Sequence, residues 1–241
     1  LSDKLDLGIS QKGTTEFVAD GTGIGTLKTG KRGSELKVLA QYCKDGSLHL
    51  VSIGIGKYMS KEGWHALFAP VKEAFEGQQA KSLSVLMDGC KAILSGAKSL
   101  NQLIKIQRDI WHICHQLKYY MWKDKVSKLH KIALIKNVFK AVTLKWNRPK
   151  EECLERMASA ILFCDRQKYK HCRSYLMGCC DHLFTFEKEQ LIHKNSSKIE
   201  RMMRTVNQRM DIGVWTDDGA LAVAKIRLAY FYNGWRGNMA A

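Results

Sequence analysis

Two short stretches, each an apolar run that ends by delivering an aspartate, constrain this chain most. Glu16-Phe17-Val18-Ala19-Asp20-Gly21-Thr22 reads as a strand with Phe17 and Ala19 on one face and Val18 and Asp20 on the other. Gly21 is then expected to release the chain into a turn, so that Asp20 sits where a central strand ends. Leu83-Ser84-Val85-Leu86-Met87-Asp88 repeats the pattern. Acids at strand ends present carboxylate oxygens at the margin of a sheet, and these are the donors that hard divalent cations take. A third acid would complete a metal site.

The 241 residues, 45% of them hydrophobic, suffice for a sizeable core, and the reading is one domain with an insertion. A net charge of +16, spread along the chain, favours a polyanion partner, most simply nucleic acid; a basic surface without a specific ligand is the plain alternative. Eight cysteines with no signal peptide read as reduced thiols, which points to the cytoplasm and, with the charge, to association with the nucleoid. No apolar run approaches the length of a membrane span. The chain opens at Leu1 in a weakly patterned segment, and the expectation is a fragment whose N-terminal module is missing.

Gly25 to Lys31 nearly spells a nucleotide-binding loop, but Arg32 stands where Ser or Thr is required and a strand follows where that loop needs a helix. A hairpin loop carrying Lys28, Lys31 and Arg32 to a phosphate backbone suits these residues better. Strands are expected over Leu36 to Tyr42 and Leu48 to Ile55, joined through Asp45-Gly46. A helix follows over Lys61 to Gln79, with a Trp64, Leu67, Phe68, Val71, Phe75 stripe and a kink or break expected at Pro70. After the Asp88 strand come a short helix, Lys91 to Lys98, and a fifth strand, Leu103 to Arg108. From Trp111 to Lys194 the apolar spacing is largely helical, with a second helical run starting after Asn147-Arg148-Pro149.

The third acid is Glu200. Ser197 with Glu200 three residues on fits a capping box, which alone accounts for the glutamate. Ile199, Met202, Met203 and Val206 also form a buried stripe, beside which Glu200, Arg204 and Asn207 make a polar row. The two roles are compatible. Three acids on two strands and a late helix, in a basic protein, suit two-metal phosphoryl transfer.

These words resemble the Mutator-like DDE transposases of bacterial and archaeal insertion sequences. The resemblance rests on Ala19-Asp20-Gly21-Thr22, Gly30-Lys31-Arg32-Gly33-Ser34-Glu35-Leu36-Lys37, Asp88-Gly89, Gln107-Arg108-Asp109-Ile110-Trp111-His112, and Ile199-Glu200-Arg201 through Asn207, Arg209 and Asp211-Ile212-Gly213-Val214-Trp215. It implies a ribonuclease H-like α/β core: a mixed five-stranded sheet with flanking helices and a helical insertion, residues 113–194, before the last catalytic helix. It implies that Asp20, Asp88 and Glu200 hold two Mg²⁺ or Mn²⁺ ions, with Asp109 and His112 as the family's C/D-x-x-H motif. His112 would bond a metal-bound acid or a phosphate, whereas read singly the pair is a helix-start aspartate and a packed histidine. The implied activity is cleavage of transposon ends and strand transfer into target DNA, on double-stranded DNA and as a homo-oligomer. Arg201 and Arg204 join Lys28, Lys31 and Arg32 as expected phosphate contacts.

Two other readings remain open: a nuclease on the same core, and a remnant that binds DNA without cutting it. Cys164, His171, Cys172, Cys179, Cys180 and His182 cluster in sequence, but without the paired C-x-x-C spacing of common zinc sites they read mainly as buried or idle thiols. Trp146, between Lys145 and Arg148, is the best base-stacking candidate of the insertion. Asp217 and Asp218 read as the cap of a last helix, Gly219 to Tyr232.

Overall fold

The first strand continues well past Asp20. The structure, a computed structural model, describes residues 5, 7–27, 30–76, 82–100, 104–142, 150–185 and 196–234. Strand β1 runs Gly13–Thr26 and β2 Gly30–Cys43, so Gly21 lies inside a long hairpin arm and not in a turn. The reason is the partner: β2 pairs antiparallel with β1 from Phe17↔Gln41 through Asp20↔Val38 and Thr22↔Leu36 to Thr26↔Gly30. What does stop at Ala19 is the parallel ladder on the other edge. Lys31 and Arg32 consequently belong to β2, their side chains outside the described residues, as is Lys28.

Strand β3 (Leu48–Lys57) follows through the expected Asp45-Gly46 turn, where Gly46 takes a φ of 77° that glycine adopts without strain. Helix α1 (Lys61–Phe75) is capped by Ser60 and buries the expected Trp64, Leu67, Phe68, Val71 and Phe75. It continues past Pro70, because the buried stripe extends on both sides of the proline. Next come β4 (Leu83–Met87), α2 (Lys91–Lys98) and β5 (Ile104–Arg108). The result is an α/β architecture whose mixed five-stranded sheet has the order β3-β2-β1-β4-β5, with β1 and β4 parallel.

Beyond β5 lie α3 (Ile110–Lys123), α4 (Lys128–Val142), α5 (Lys150–Arg166), α6 (Lys170–Cys180), α7 (Ser197–Met210) and α8 (Asp217–Tyr232), making eight helices among the described residues. Helix α8 starts two residues earlier than its sequence suggests: Thr216 is its N-cap, accepting the Gly219 N–H at 3.0 Å, and Asp217 and Asp218 occupy the first turn. The Asn147-Arg148-Pro149 helix start and Trp146 fall outside the described residues. No helix of the described residues is long and apolar enough to cross a membrane.

The chain divides into two compact units, Leu1–Lys105 with Ser196–Ala241, and Ile106–Asn195, the boundary falling within β5. In the first, α7 and α8 bury Ile199, Met202, Val206, Ala224 and Leu228 in one core with Val18, Leu36 and Val38 of the sheet. The second has its own core, including Ile113, Leu117, Leu134, Val138, Met157 and Leu176. It is tied by Asp124 at the end of α3, whose carboxylate accepts the N–H groups of His171 (3.1 Å) and Cys172 (2.8 Å) at the start of α6 and bonds the His171 ring at 2.7 Å. Asp124 thus caps a helix it does not belong to, as an anion at the positive end.

Burial works to raise the Asp124 carboxyl, but the bonds from Cys172 and His171 outweigh it and hold the group below its ordinary 3.8. A carboxyl lowered by folding contributes stability that is complete above its unfolded value and is lost as pH falls through the folded one. Asp124→Ala should therefore destabilise by about 2–3 kcal/mol at neutral pH. The deficit should shrink below about pH 4, where wild type loses the same contribution; urea denaturation of both proteins across pH 3–7 measures it.

Candidate active site

The parallel ladder fixes the first two acids. Phe17, Val18 and Ala19 of β1 pair with Val85, Leu86 and Met87 of β4, so Asp20 and Asp88, each one residue on, stand at one level on neighbouring strands. Both are half-buried, above fully buried residues on each strand. Asp20 Oδ1 accepts its neighbour Gly21 N–H at 2.8 Å. Asp88 Oδ1 accepts the Cys90 N–H at 2.7 Å, a turn that Gly89 permits with a φ of 90° and that leads into α2.

Helix α7 is oriented by three contacts. Asn207 Nδ2 donates to Thr22 Oγ1 at 3.2 Å, Trp215 past the helix end bridges Thr26, and Lys198 in the first turn reaches the Gly46 carbonyl and lies 5.8 Å from the Tyr42 ring. The helix therefore follows β1, its C-terminal end towards Thr26 and its first turn towards the other end of the strand. Seven helical residues rise about 10 Å, and three strand residues span about the same, which sets Glu200 near the level of Ala19 and Asp20. Residues two apart on a helix diverge by about 200°. With Lys198 turned to the β2–β3 flank, Glu200 faces the opposite flank, on the side of β4.

Glu200 is exposed, and its Oε1 accepts the Ser196 hydroxyl at 3.2 Å. The N-cap is Ser196 and not Ser197, and it makes no side-chain cap bond to the helix backbone. The expected capping box is absent because the helix begins one residue earlier than the pattern places it. Among the described residues, Asp20, Asp88 and Glu200 do not each bring a ligand atom within 4.8 Å of the others. Arg201 and Arg204 are both exposed on the same helix.

In the second unit, Asp109 is fully buried and serves twice: Oδ1 accepts the Trp111 N–H at 2.9 Å as the N-cap of α3, and Oδ2 bonds His112 Nδ1 at 2.9 Å. The helix-start role and the Asp–His pairing are one arrangement, in which the carboxylate orients the ring. The clustered cysteines and histidines do not bring three ligand atoms within 4.8 Å. Burial pushes the Cys179 thiol up to about 11, and the hydrogen bond between Cys164 and Cys172 raises Cys172 and lowers Cys164.

The other face of β1 holds what the sequence reading missed. Glu35 Oε2 and Lys37 Nζ form an ion pair at 3.0 Å with both side chains almost completely buried. Glu35 also accepts the Met59 N–H at 2.8 Å, and Lys37 donates to the Lys57 carbonyl at 3.0 Å. Together they fix the turn after β3, where Met59 takes a left-handed φ of 53°. Gly21 is the space this needs, since a Cβ there would lie 2.4 Å from Glu35 Oε1 and 3.2 Å from the Trp64 ring. The available signal was two opposite charges two apart inside an apolar strand, hence on one face.

That turn presents Tyr58, which with Thr22, Gly23, Asn207 and Asp211 lines a polar cleft of about 330 Å³. Burial first, then the charges of Glu35, Cys90 and Asp88, hold the Tyr58 hydroxyl above its ordinary range, so it stays a proton donor. No family model matches the chain, and no curated protein matches it.

Removing Glu35 alone strands a buried ammonium. Glu35→Ala should cost about 3–5 kcal/mol in chemical denaturation, and pairing it with Lys37→Met should recover most of that loss.

Proposed function

We propose that the chain is a DNA-cutting and DNA-joining catalytic domain of the DDE transposase kind, on a ribonuclease H-like core. What carries the reading is one observation: Asp20 and Asp88 stand level on adjacent parallel central strands, with the Glu200 helix laid along the first of them. The five-stranded mixed sheet, the net charge of +16 and the exposed Arg201 and Arg204 beside Glu200 agree with it.

The donor set fits hard divalent cations: three carboxylates, each open to solvent at least in part, with no thiolate among them. Asp20, Asp88 and Glu200 would hold the metal, two ions in this reading. When bound, such ions supply Lewis-acid activation of the attacking oxygen and stabilisation of the leaving one. The chain's own residues position the substrate: Arg201 and Arg204 offer charge to backbone phosphates, and the Asn207–Thr22 bond holds α7 in register over Asp20. In this reading the strands fix two acids rigidly, while the third arrives on a helix.

Asp20→Asn, Asp88→Asn and Glu200→Gln should each reduce Mg²⁺-dependent cleavage of duplex DNA by well over about a hundredfold, since even groups behind metal ligands account for about 10–100-fold. Salt-sensitive DNA binding should persist in all three. A variant that still cuts removes its residue from the mechanism. Wild-type protein that binds duplex DNA but never cuts it, with Mg²⁺ or Mn²⁺, replaces this reading with that of a DNA-binding remnant.

A further inference from the structure

The polar cleft of about 330 Å³ has room for one nucleobase, and it is lined by Thr22, Gly23, Tyr58, Asn207 and Asp211. Among the described residues no lysine or arginine lines it, so in a chain of net charge +16 it is a place that a phosphate avoids. Thr22 lies two residues beyond Asp20 on the same face of β1, about 7 Å along the strand, which matches about two nucleotide steps. The walls are held in place. Asn207 Nδ2 donates to Thr22 Oγ1 at 3.2 Å, the Asp211 backbone N–H closes the end of α7, and the bond from Met59 N–H to Glu35 fixes the turn that carries Tyr58.

A carboxylate only accepts hydrogen bonds, so Asp211 selects a partner that donates them. Guanine alone among the DNA bases sets two N–H donors side by side on its Watson–Crick edge, N1–H and the N2 amine, and the two oxygens of one carboxylate take both. Adenine and cytosine put a ring-nitrogen acceptor beside their amine, and thymine flanks its N–H with carbonyls; each turns a lone pair towards the carboxylate. Asn207 offers a second amide N–H for the guanine O6, and Tyr58, 50% exposed, offers a ring to stack on. Next in sequence to these walls stand two exposed apolar side chains, Met59 (54%) after Tyr58 and Ile212 (71%) after Asp211. Apolar tips of this kind fill the gap that a displaced base leaves in a stack.

We infer that the cleft holds one unpaired guanine of the DNA strand, about two nucleotides from the phosphate that Asp20 and Asp88 address, with Asp211 on N1–H and N2–H, Asn207 on O6 and Tyr58 against the ring. The inference rests on the DNA chemistry proposed for the same site. In a duplex cytosine occupies that edge of guanine, so the base enters only where pairing is broken. Asp211 is thereby a specificity-determining residue, whereas Arg201 and Arg204 serve every sequence alike.

The test is fluorescence anisotropy of the full chain, without divalent metal, on duplexes that carry a single bulged guanine, adenine, cytosine, thymine or hypoxanthine, the last being guanine without its N2 amine. Wild type should bind the guanine bulge tighter than adenine, cytosine or thymine by about tenfold or more, with hypoxanthine between. Asp211→Asn sets one donor beside one acceptor and should move the preference from guanine to adenine or cytosine, a switch that misfolding does not produce. Tyr58→Ala should weaken the binding of every bulge by about fivefold or more while guanine stays first. The inference is overturned by wild type that binds all the bulges alike or binds none, by a guanine preference that Asp211→Asn leaves in place, or by Tyr58→Ala that binds every bulge as wild type does. Cutting enters none of these measurements. Guanine preference in a chain that never cuts keeps the cleft and removes the catalytic reading, and Mg²⁺-dependent cutting without the preference does the reverse.

Discussion

The parallel pairing of Ala19 with Met87 is the constraint on which the candidate site depends. A strand ladder fixes its members to within a residue, because a slip of one would turn every side chain to the other face and expose the core. Phe17, Val18, Ala19, Val85, Leu86 and Met87 are all buried, so the register is held from both faces. Asp20 and Asp88 inherit it. Their level placement results from apolar packing below them and needs no attraction between two like charges.

The two faces of β1 divide the work. On one, Val18 and Ile24 bury against α7, and Asn207 meets Thr22, so the helix is set along the strand. On the other, the Glu35–Lys37 pair and Trp64 crowd over Gly21. A buried ion pair is a weak source of net stability, since desolvation offsets much of its attraction. Its structural effect here is positional: it anchors the turn that carries Tyr58 to the polar cleft beside Thr22 and Asn207. Gly21 is thus explained by what lies above it and not by any turn.

Much of this was legible in the chain. The Asp88 strand, the Asp45-Gly46 hairpin, the buried stripe of α1 and the limits of α2 follow from local periodicity and turn chemistry, which depend on near neighbours in sequence. Boundaries set by distant partners were not legible. β1 runs past Asp20 because β2 pairs along it, and α7 starts at Ser197, with Ser196 as its cap. Pro70 does not break α1, because burial along the stripe outweighs a lost backbone bond.

By itself the sequence determined which residues are able to do chemistry: two strand-borne aspartates, a helical glutamate with its arginines, and an Asp-x-x-His at a helix start. It also determined the alternating and helical patterns that make their elements. The tertiary structure alone decided that Asp20 and Asp88 share a level, that Glu200 turns to the β4 flank of α7, that Glu35 and Lys37 neutralise one another over Gly21, and that α4 keeps a second apolar face. The division has a physical cause. Periodicity is a property of a segment and its immediate neighbours, whereas register, flank and burial are set by which distant segment supplies the other half of each contact.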